Sequence, residues 1–231
     1  LTELSNRSVN LPPSSGKPMT TGIETTEGTE ERIFEAARKV FARKGRDGAR
    51  MQEIADEAGI NRALLHYYFR SKQGLFEAVF GHMFEQYMRS FDTVIEPGQP
   101  LSEMLPRFIS HYIDYAMEHE DMVRLIMGEN LRGAPILGEA LAAAKQNEDS
   151  LPNRIEQAIR AAIERGEIRE VDPQHTLLTI ISACIHFIVM KPTVQAMNPD
   201  AQADFAAFTE ARKQHITDLV MRGLRPEEVT S

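Results

Sequence analysis

Between Asn61 and Lys72 the chain reads NRALLHYYFRSK. Three cations (Arg62, Arg70, Lys72), two phenols (Tyr67, Tyr68), an imidazole (His66) and a carboxamide (Asn61) fall in this stretch without one acid. Guanidinium, ammonium and phenol groups are hydrogen-bond donors suited to phosphate oxygens and base edges. At helical spacing Arg62, Ala63, His66 and Tyr67 share one face, while Leu65, Tyr68 and Phe69 turn at least partly inward. Such a face suits the major groove of double-stranded DNA, which admits one α-helix. A helical hairpin whose charged face is merely solvated fits the same residues, and this stretch alone leaves both open.

The elements that must hold this helix are legible upstream. Thr29 reads as an N-cap with Glu30 and Glu31 in the first turn. Ile33, Ala36, Ala37, Val40 and Phe41 then form one apolar stripe, closed by Gly45 and Gly48. A second, short helix turns Met51, Ile54, Ala55 and Ala58 inward. Gly59 supplies the left-handed conformation of a tight turn, Ile60 plugs that turn, and Asn61 caps the next helix. Ala55, Gly59 and Leu65 are spaced as a helix-turn-helix requires.

The stretch ERIFEAARKVFARKGRDGARMQEIADEAGINRALLHYYFRSKQGLFEAV resembles the DNA-binding head of the TetR/AcrR family of bacterial transcriptional regulators. F-x-x-K-G, E-I-A-x-x-A-G-I and Y-Y-F-R-S-K-x-x-L occur in the family's order and spacing. The resemblance implies an all-α protein: an N-terminal three-helix head with a helix-turn-helix, then a C-terminal helical domain for ligand sensing and dimerisation. It implies that Tyr67, Tyr68 and Lys72 hold phosphates, and that Arg62 and Ala63 approach bases. Arg50, Gln52, Asn61, Leu64 and His66 complete the expected DNA-binding set. Ala49 and Arg50 stand where the family usually has a hydroxyl residue, His66 where a tyrosine is usual, and Leu64 where a small or hydroxyl residue is common. The operator sequence therefore cannot be taken from a relative.

The body reads as helices throughout, with no sustained strand signal. From Ser71 a long helix carries Leu75, Phe76, Val79, Phe80, Met83 and Tyr87, and the resemblance makes it the link from head to body. Further helical stretches run past Leu105, Met122 and "RGAPILG", up to Gly166 as a C-cap and Asp172-Pro173 as the next cap. The helix containing Leu177–Met190 is apolar nearly all round, so it should be buried on more than one side. His186 is expected inside that run. The resemblance pairs this helix and the last one with their twins in a homodimer, through Leu177, Ile181, Ile185, Ile188, Phe205, Phe208, Ile216 and Leu219; internal packing alone is the alternative. It also implies a cavity for a small-molecule effector, with candidates Met83, Tyr87, Phe108, Tyr112, Tyr115, Met122, Ile126 and Met127. A Met/aromatic stripe is equally an ordinary core. His82, His111, His119 and His186 are the polar possibilities there.

Charge and composition narrow the classes. The 231 residues carry a net −8, yet from Thr29 to Phe76 ten Lys/Arg meet seven Asp/Glu, and the chain beyond Phe76 carries −10. A basic head on an acidic body directs only the head to a polyanion. No apolar run approaches the roughly 20 residues of a membrane span, no apolar signal core is present, and Cys184 is the single cysteine. A cytoplasmic protein with no membrane partner is expected. No metal cluster, cofactor motif, nucleophile–base pair or phosphate loop is read, so no enzyme is expected. The expected organisation is a flexible tail at 1–28, the DNA-binding domain at 29–75, the ligand-binding and dimerisation domain at 76–225, and a tail at 226–231. The functional expectation is a repressor released from a palindromic operator by a small, partly apolar ligand. A regulator without small-molecule input, and an activator, are the alternatives.

Overall fold

A computed structural model describes residues 26–96 and 98–226. The tail read at 1–28, with Arg7 and Lys17, lies outside them except for Thr26–Gly28; so do all but Pro226 of the tail read at 226–231. The described residues form twelve helices and no strand. In chain order these are α1 (Thr26–Gly48), α2 (Met51–Glu57), α3 (Arg62–Tyr68), α4 (Lys72–Arg89), α5 (Leu101–Glu118), α6 (Glu120–Leu131), α7 (Pro135–Lys145), α8 (Leu151–Glu164), α9 (Pro173–Val189), α10 (Lys191–Met197), α11 (Pro199–Ala203) and α12 (Phe205–Leu224). They gather into two compact units. One holds the described residues through Glu85 together with Arg124–Ala140; the other holds Gln86–Val123 and the chain from Leu141 onward.

In the first unit the apolar stripe of α1 buries Ile33, Ala37, Val40 and Phe41 completely. Thr29 does not cap this helix. It lies on the same stripe as Ile33, Ala36 and Val40 and is itself buried, because α1 already runs from Thr26. The helix is interrupted at Gly45 (φ 67°, ψ 171°), a conformation that costs a glycine least. The α2–α3 turn is a Schellman motif: Ile60 N–H donates to the Ala55 carbonyl at 3.0 Å, and Gly59 N–H to that of Asp56 at 3.2 Å. Gly59 has φ +66° there. Asn61 Oδ1 then accepts from Leu64 N–H at 2.8 Å and starts α3. Leu65, Ile54, Leu75 and Phe76 close the core, with Phe41 and Phe76 edge to face at 5.0 Å.

In the second unit α5 is the central helix, packed by α8, α9 and α12. It buries Met104, Leu105, Phe108, Ile109, Ile113 and Ala116. Lys213 of α12 is almost wholly buried and ties the two helices, its ammonium 2.5 Å from Asp114 and 2.5 Å from Glu210. Desolvation works against that charge, but the hydrogen bonds that the ammonium donates to the two carboxylates, with their Coulombic attraction, outweigh it and raise the Lys213 pKa. Asp172 caps α9 by accepting from His175 N–H at 2.7 Å. Two short helices, α10 and α11, were not foreseen; Pro192 and Pro199 sit in their first turns, where a missing N–H is harmless.

Candidate functional site

Helix α3 presents Arg62, Ala63 and Tyr67 to solvent and keeps Leu64, His66 and Tyr68 half-buried over Leu65, which is fully buried. Tyr67 and Tyr68 lie edge to face at 5.6 Å. Arg62 Nε–H donates to His66 Nε2 at 3.3 Å. Arg50 and Gln52 are exposed at the start of α2, and Gln52 donates to Asp56 at 2.8 Å. Arg50 precedes that helix in an extended conformation without a side-chain cap, as a residue lacking the usual hydroxyl would.

Pairing separates the cations of this unit into two sets. On the α1 side Arg38 and Lys39 pair with Glu35, Arg43 with Glu57 and Lys44 with Glu53. Their hydrogen bonds hold the Glu35 and Glu53 carboxyls below the usual range, through Arg38 and Lys44 respectively. Arg50, Arg62 and Arg70, around the helix-turn-helix, form no ion pair with any described residue. The cations that lack an ion-pair partner among the described residues thus flank the helix-turn-helix, where a polyanion would find them.

Lys72 is engaged differently. Its ammonium donates to the carbonyls of Asp47 at 2.9 Å and Ala49 at 3.1 Å, groups left open where α1 ends. It clamps the entrance to the helix-turn-helix and keeps one donor for other partners. The same turn is held from the other side. Arg46 stacks over Phe76 at 5.6 Å, and its guanidinium lies 3.8 Å from Glu129, a fully buried carboxylate. Glu129 also pairs with Arg132 at 3.5 Å and accepts from Ile136 N–H at 3.4 Å, while Arg132 reaches Asp47 at 3.7 Å. No sequence pattern marks this cluster, because Glu129 lies some 80 residues from the turn that it pins.

The effector candidates divide between the units. Tyr87, Phe108, Tyr112, Tyr115 and Met122 belong to the second; Met83, Ile126 and Met127 belong to the first and are half-buried there. In the second unit the aromatic residues form one cluster: Tyr87 is 5.4 Å from Tyr115 and 6.1 Å from Tyr112, and Phe91 is 5.2 Å from Phe108 and 4.6 Å from His111. Burial pushes the Tyr112 hydroxyl up to about 12 and raises that of Tyr87 well above its ordinary value. Both phenols therefore stay neutral donors. Ser90 donates its only hydroxyl proton to the Tyr87 carbonyl at 2.7 Å, so His111 Nε2 must donate to Ser90 Oγ at 2.9 Å. His119 stacks on Tyr115 at 3.9 Å and donates from Nδ1 to the Tyr115 carbonyl at 2.8 Å. His82 stacks on Phe34 in the first unit, at 5.4 Å.

His186 is exposed, not buried in its apolar run, because α9 packs through Leu177, Ile180, Cys184, Phe187 and Ile188 and turns residue 186 outward. The dimer candidates differ in how far the chain itself covers them. Leu177, Ile188 and Ile216 are covered by the chain's own helices; Ile181, Ile185, Phe205 and Phe208 are half-buried, and Leu219 is 66% exposed. The uncovered apolar face of α9 includes Leu178 (59% exposed) and Val189, at helical spacing with Ile181 and Ile185. A groove of about 280 Å³ between α9 and α12, also missed in the sequence, is lined by Ile180, Ala183, Arg212, Ile216, Leu219 and Val220. Among the described residues no group of three or more His, Cys, Asp or Glu could hold a metal ion. No single described helix is long and apolar enough to cross a membrane. Burial raises the Cys184 thiol to about 12, so it is inert as a thiolate.

Residues 33–79 match the family described as bacterial regulatory proteins, tetR family, and residues 102–220 match the tetracyclin repressor-like C-terminal domain. The chain is 26% identical over 216 residues to the HTH-type transcriptional regulator RutR of Escherichia coli K12, covering 90% of this chain and 100% of that protein. It is 28% identical over 223 residues to the HTH-type transcriptional repressor NicS of Pseudomonas putida KT2440 (89% and 97% covered). It is 31% identical over 169 residues to the repressor SCO4008 of Streptomyces coelicolor (73% and 82% covered). Two solved structures share the fold: a TetR-like regulator from Rhodococcus sp. RHA1 (TM-score 0.65, 18% identity, 86% and 97% covered) and PfmR from Thermus thermophilus (0.64, 21%, 88% and 100%).

Proposed function

The chain belongs to the TetR family of bacterial regulatory proteins and is a DNA-binding transcriptional regulator, not an enzyme; from that premise we propose that it works as a cytoplasmic homodimeric repressor, released from a palindromic operator by a small, partly apolar effector. The observation that carries the reading is the set of cations without an ion pair among the described residues, Arg50, Arg62 and Arg70, around α3 and its exposed face, in a chain whose net charge is −8. Arg62 would read a base edge, Ala63 would admit close approach, and Tyr67 and Tyr68 would hold phosphates. The uncovered stripe of α9 and Leu219 of α12 support a twofold partner. A twofold dimer would set two copies of α3 on half-sites about 34–36 Å apart. Helix α4 contributes residues to both units. An effector must bind the released state more tightly than the operator-bound one. Two relatives carry the word repressor in their names, which supports that sense of regulation.

The test is selection from random duplexes by the purified full-length protein. An enriched palindrome with half-sites one turn apart is expected; enrichment of no sequence, with or without a panel of apolar small molecules, would remove the reading. One observation favours a regulator with no small-molecule input: Tyr87 and Tyr112 are each only 8% exposed, packed as a closed core. That second reading stands if no compound of the panel changes operator affinity. A reporter under the selected operator separates repression from activation.

A further inference from the structure

Arg62, exposed on α3, and His66, half-buried there, stand one helical turn apart, and the arginine Nε–H donates to His66 Nε2 over 3.3 Å. His66 can accept there only as a neutral imidazole carrying its proton on Nδ1. An arginine tethered at Nε keeps both terminal amino groups free, and these are the pair that form a two-pronged contact with O6 and N7 of guanine. No described carboxylate of the neighbouring helix competes for either partner. The three carboxylates of the packed helix α2 are taken: Glu53 by Lys44 at 2.6 Å, Glu57 by Arg43 at 3.3 Å, and Asp56 by Gln52 at 2.8 Å. Ala63 beside Arg62 ends at Cβ and leaves the guanidinium room.

We propose that His66 is a positioning residue for Arg62: it holds the guanidinium by Nε so that its two amino groups point together at one guanine edge. The proposal rests on the operator-binding reading of the head. An untethered, exposed arginine samples many rotamers and loses that freedom on contact. A tethered one enters the groove with part of the loss already taken. The gain falls on discrimination at one base pair, while phosphate contacts and their salt dependence stay with other residues. His66 thus contributes to sequence reading without itself touching a base.

The experiment measures full-length wild type and variants against a panel of duplexes, each carrying one base-pair change in the selected operator. Arg62→Ala is expected to remove about tenfold discrimination at one position. His66→Ala should weaken discrimination at that same position by at least about threefold, with the salt slope unchanged. His66→Gln, whose amide oxygen can accept from Nε, should restore it. Arg62→Ala with His66→Ala should be no worse there than Arg62→Ala alone. Unchanged discrimination in His66→Ala would overturn the proposal. So would relaxation at a different position additive with Arg62→Ala, which would make His66 a base reader in its own right. Relaxation at no position in Arg62→Ala removes the proposal but leaves operator binding standing, whereas a wild type that selects no operator removes both.

Discussion

Lys72 illustrates how a single side chain can carry two assignments. Its place after the Y-Y-F-R-S run suggests a phosphate ligand, yet its ammonium donates to the carbonyls of Asp47 and Ala49. Lys72→Ala should therefore lower stability by about 1–2 kcal/mol, since charge-assisted bonds to otherwise open carbonyls are lost. Urea unfolding without DNA checks this; an unchanged midpoint would return Lys72 to a purely phosphate-binding role. His111 makes a pH-dependent prediction. Desolvation lowers its pKa, against smaller opposing effects of Asp114 and Glu118. The unfolded chain therefore takes up the proton first, near the ordinary value of 6.5. Its contribution to stability is complete above that pH and is lost as the pH falls through the lower folded value. The stability of wild type should thus drop more steeply between about pH 7 and pH 5 than that of His111→Gln, as followed by thermal melts across that range.

At the scale of elements, the turn between α2 and α3 decides the angle at which α3 stands. Gly59 has φ +66° and no atom within 4 Å of where a Cβ would lie, so substitution there meets backbone strain and no steric clash. Gly59→Ala is expected to cost about 1–2 kcal/mol. Operator affinity should fall beyond what the lost stability explains, because the Schellman bonds of Ile60 and Gly59 orient α3. Denaturant unfolding and operator binding on the same preparation separate the two effects. This element was fully legible beforehand: glycine, apolar plug and asparagine cap are local signals, and the backbone adopts each one. The start of α1 was not, because the buried stripe that includes Thr29 outweighs its capping tendency.

At the scale of the whole molecule, the second copy should rest on what the chain leaves uncovered. Leu178→Glu places a charge on the α9 face that includes Ile181, Ile185 and Val189. Sedimentation should then show a shift to monomer at micromolar concentration, and operator affinity should fall by at least tenfold as the paired half-sites lose their paired reader. A Leu178→Glu protein that stays dimeric would move the interface off this face. The same substitution at Leu177 would act differently, by unfolding, since that side chain is covered by its own chain.

Local pattern determined the helix-turn-helix, the caps at Asn61 and Asp172, the all-helical class and the basic face of α3. Each depends on residues within a few turns of one another, where periodicity and capping chemistry act directly. Which side of α9 is left open was decided only by tertiary structure. Its run from Leu177 to Met190 is apolar nearly all round, so no polar face orients it until α5 and α12 cover one side. The inward turn of Lys72 and the burial of Glu129 against Arg46 were decided the same way, by partners distant in sequence that only folding brings within bonding distance.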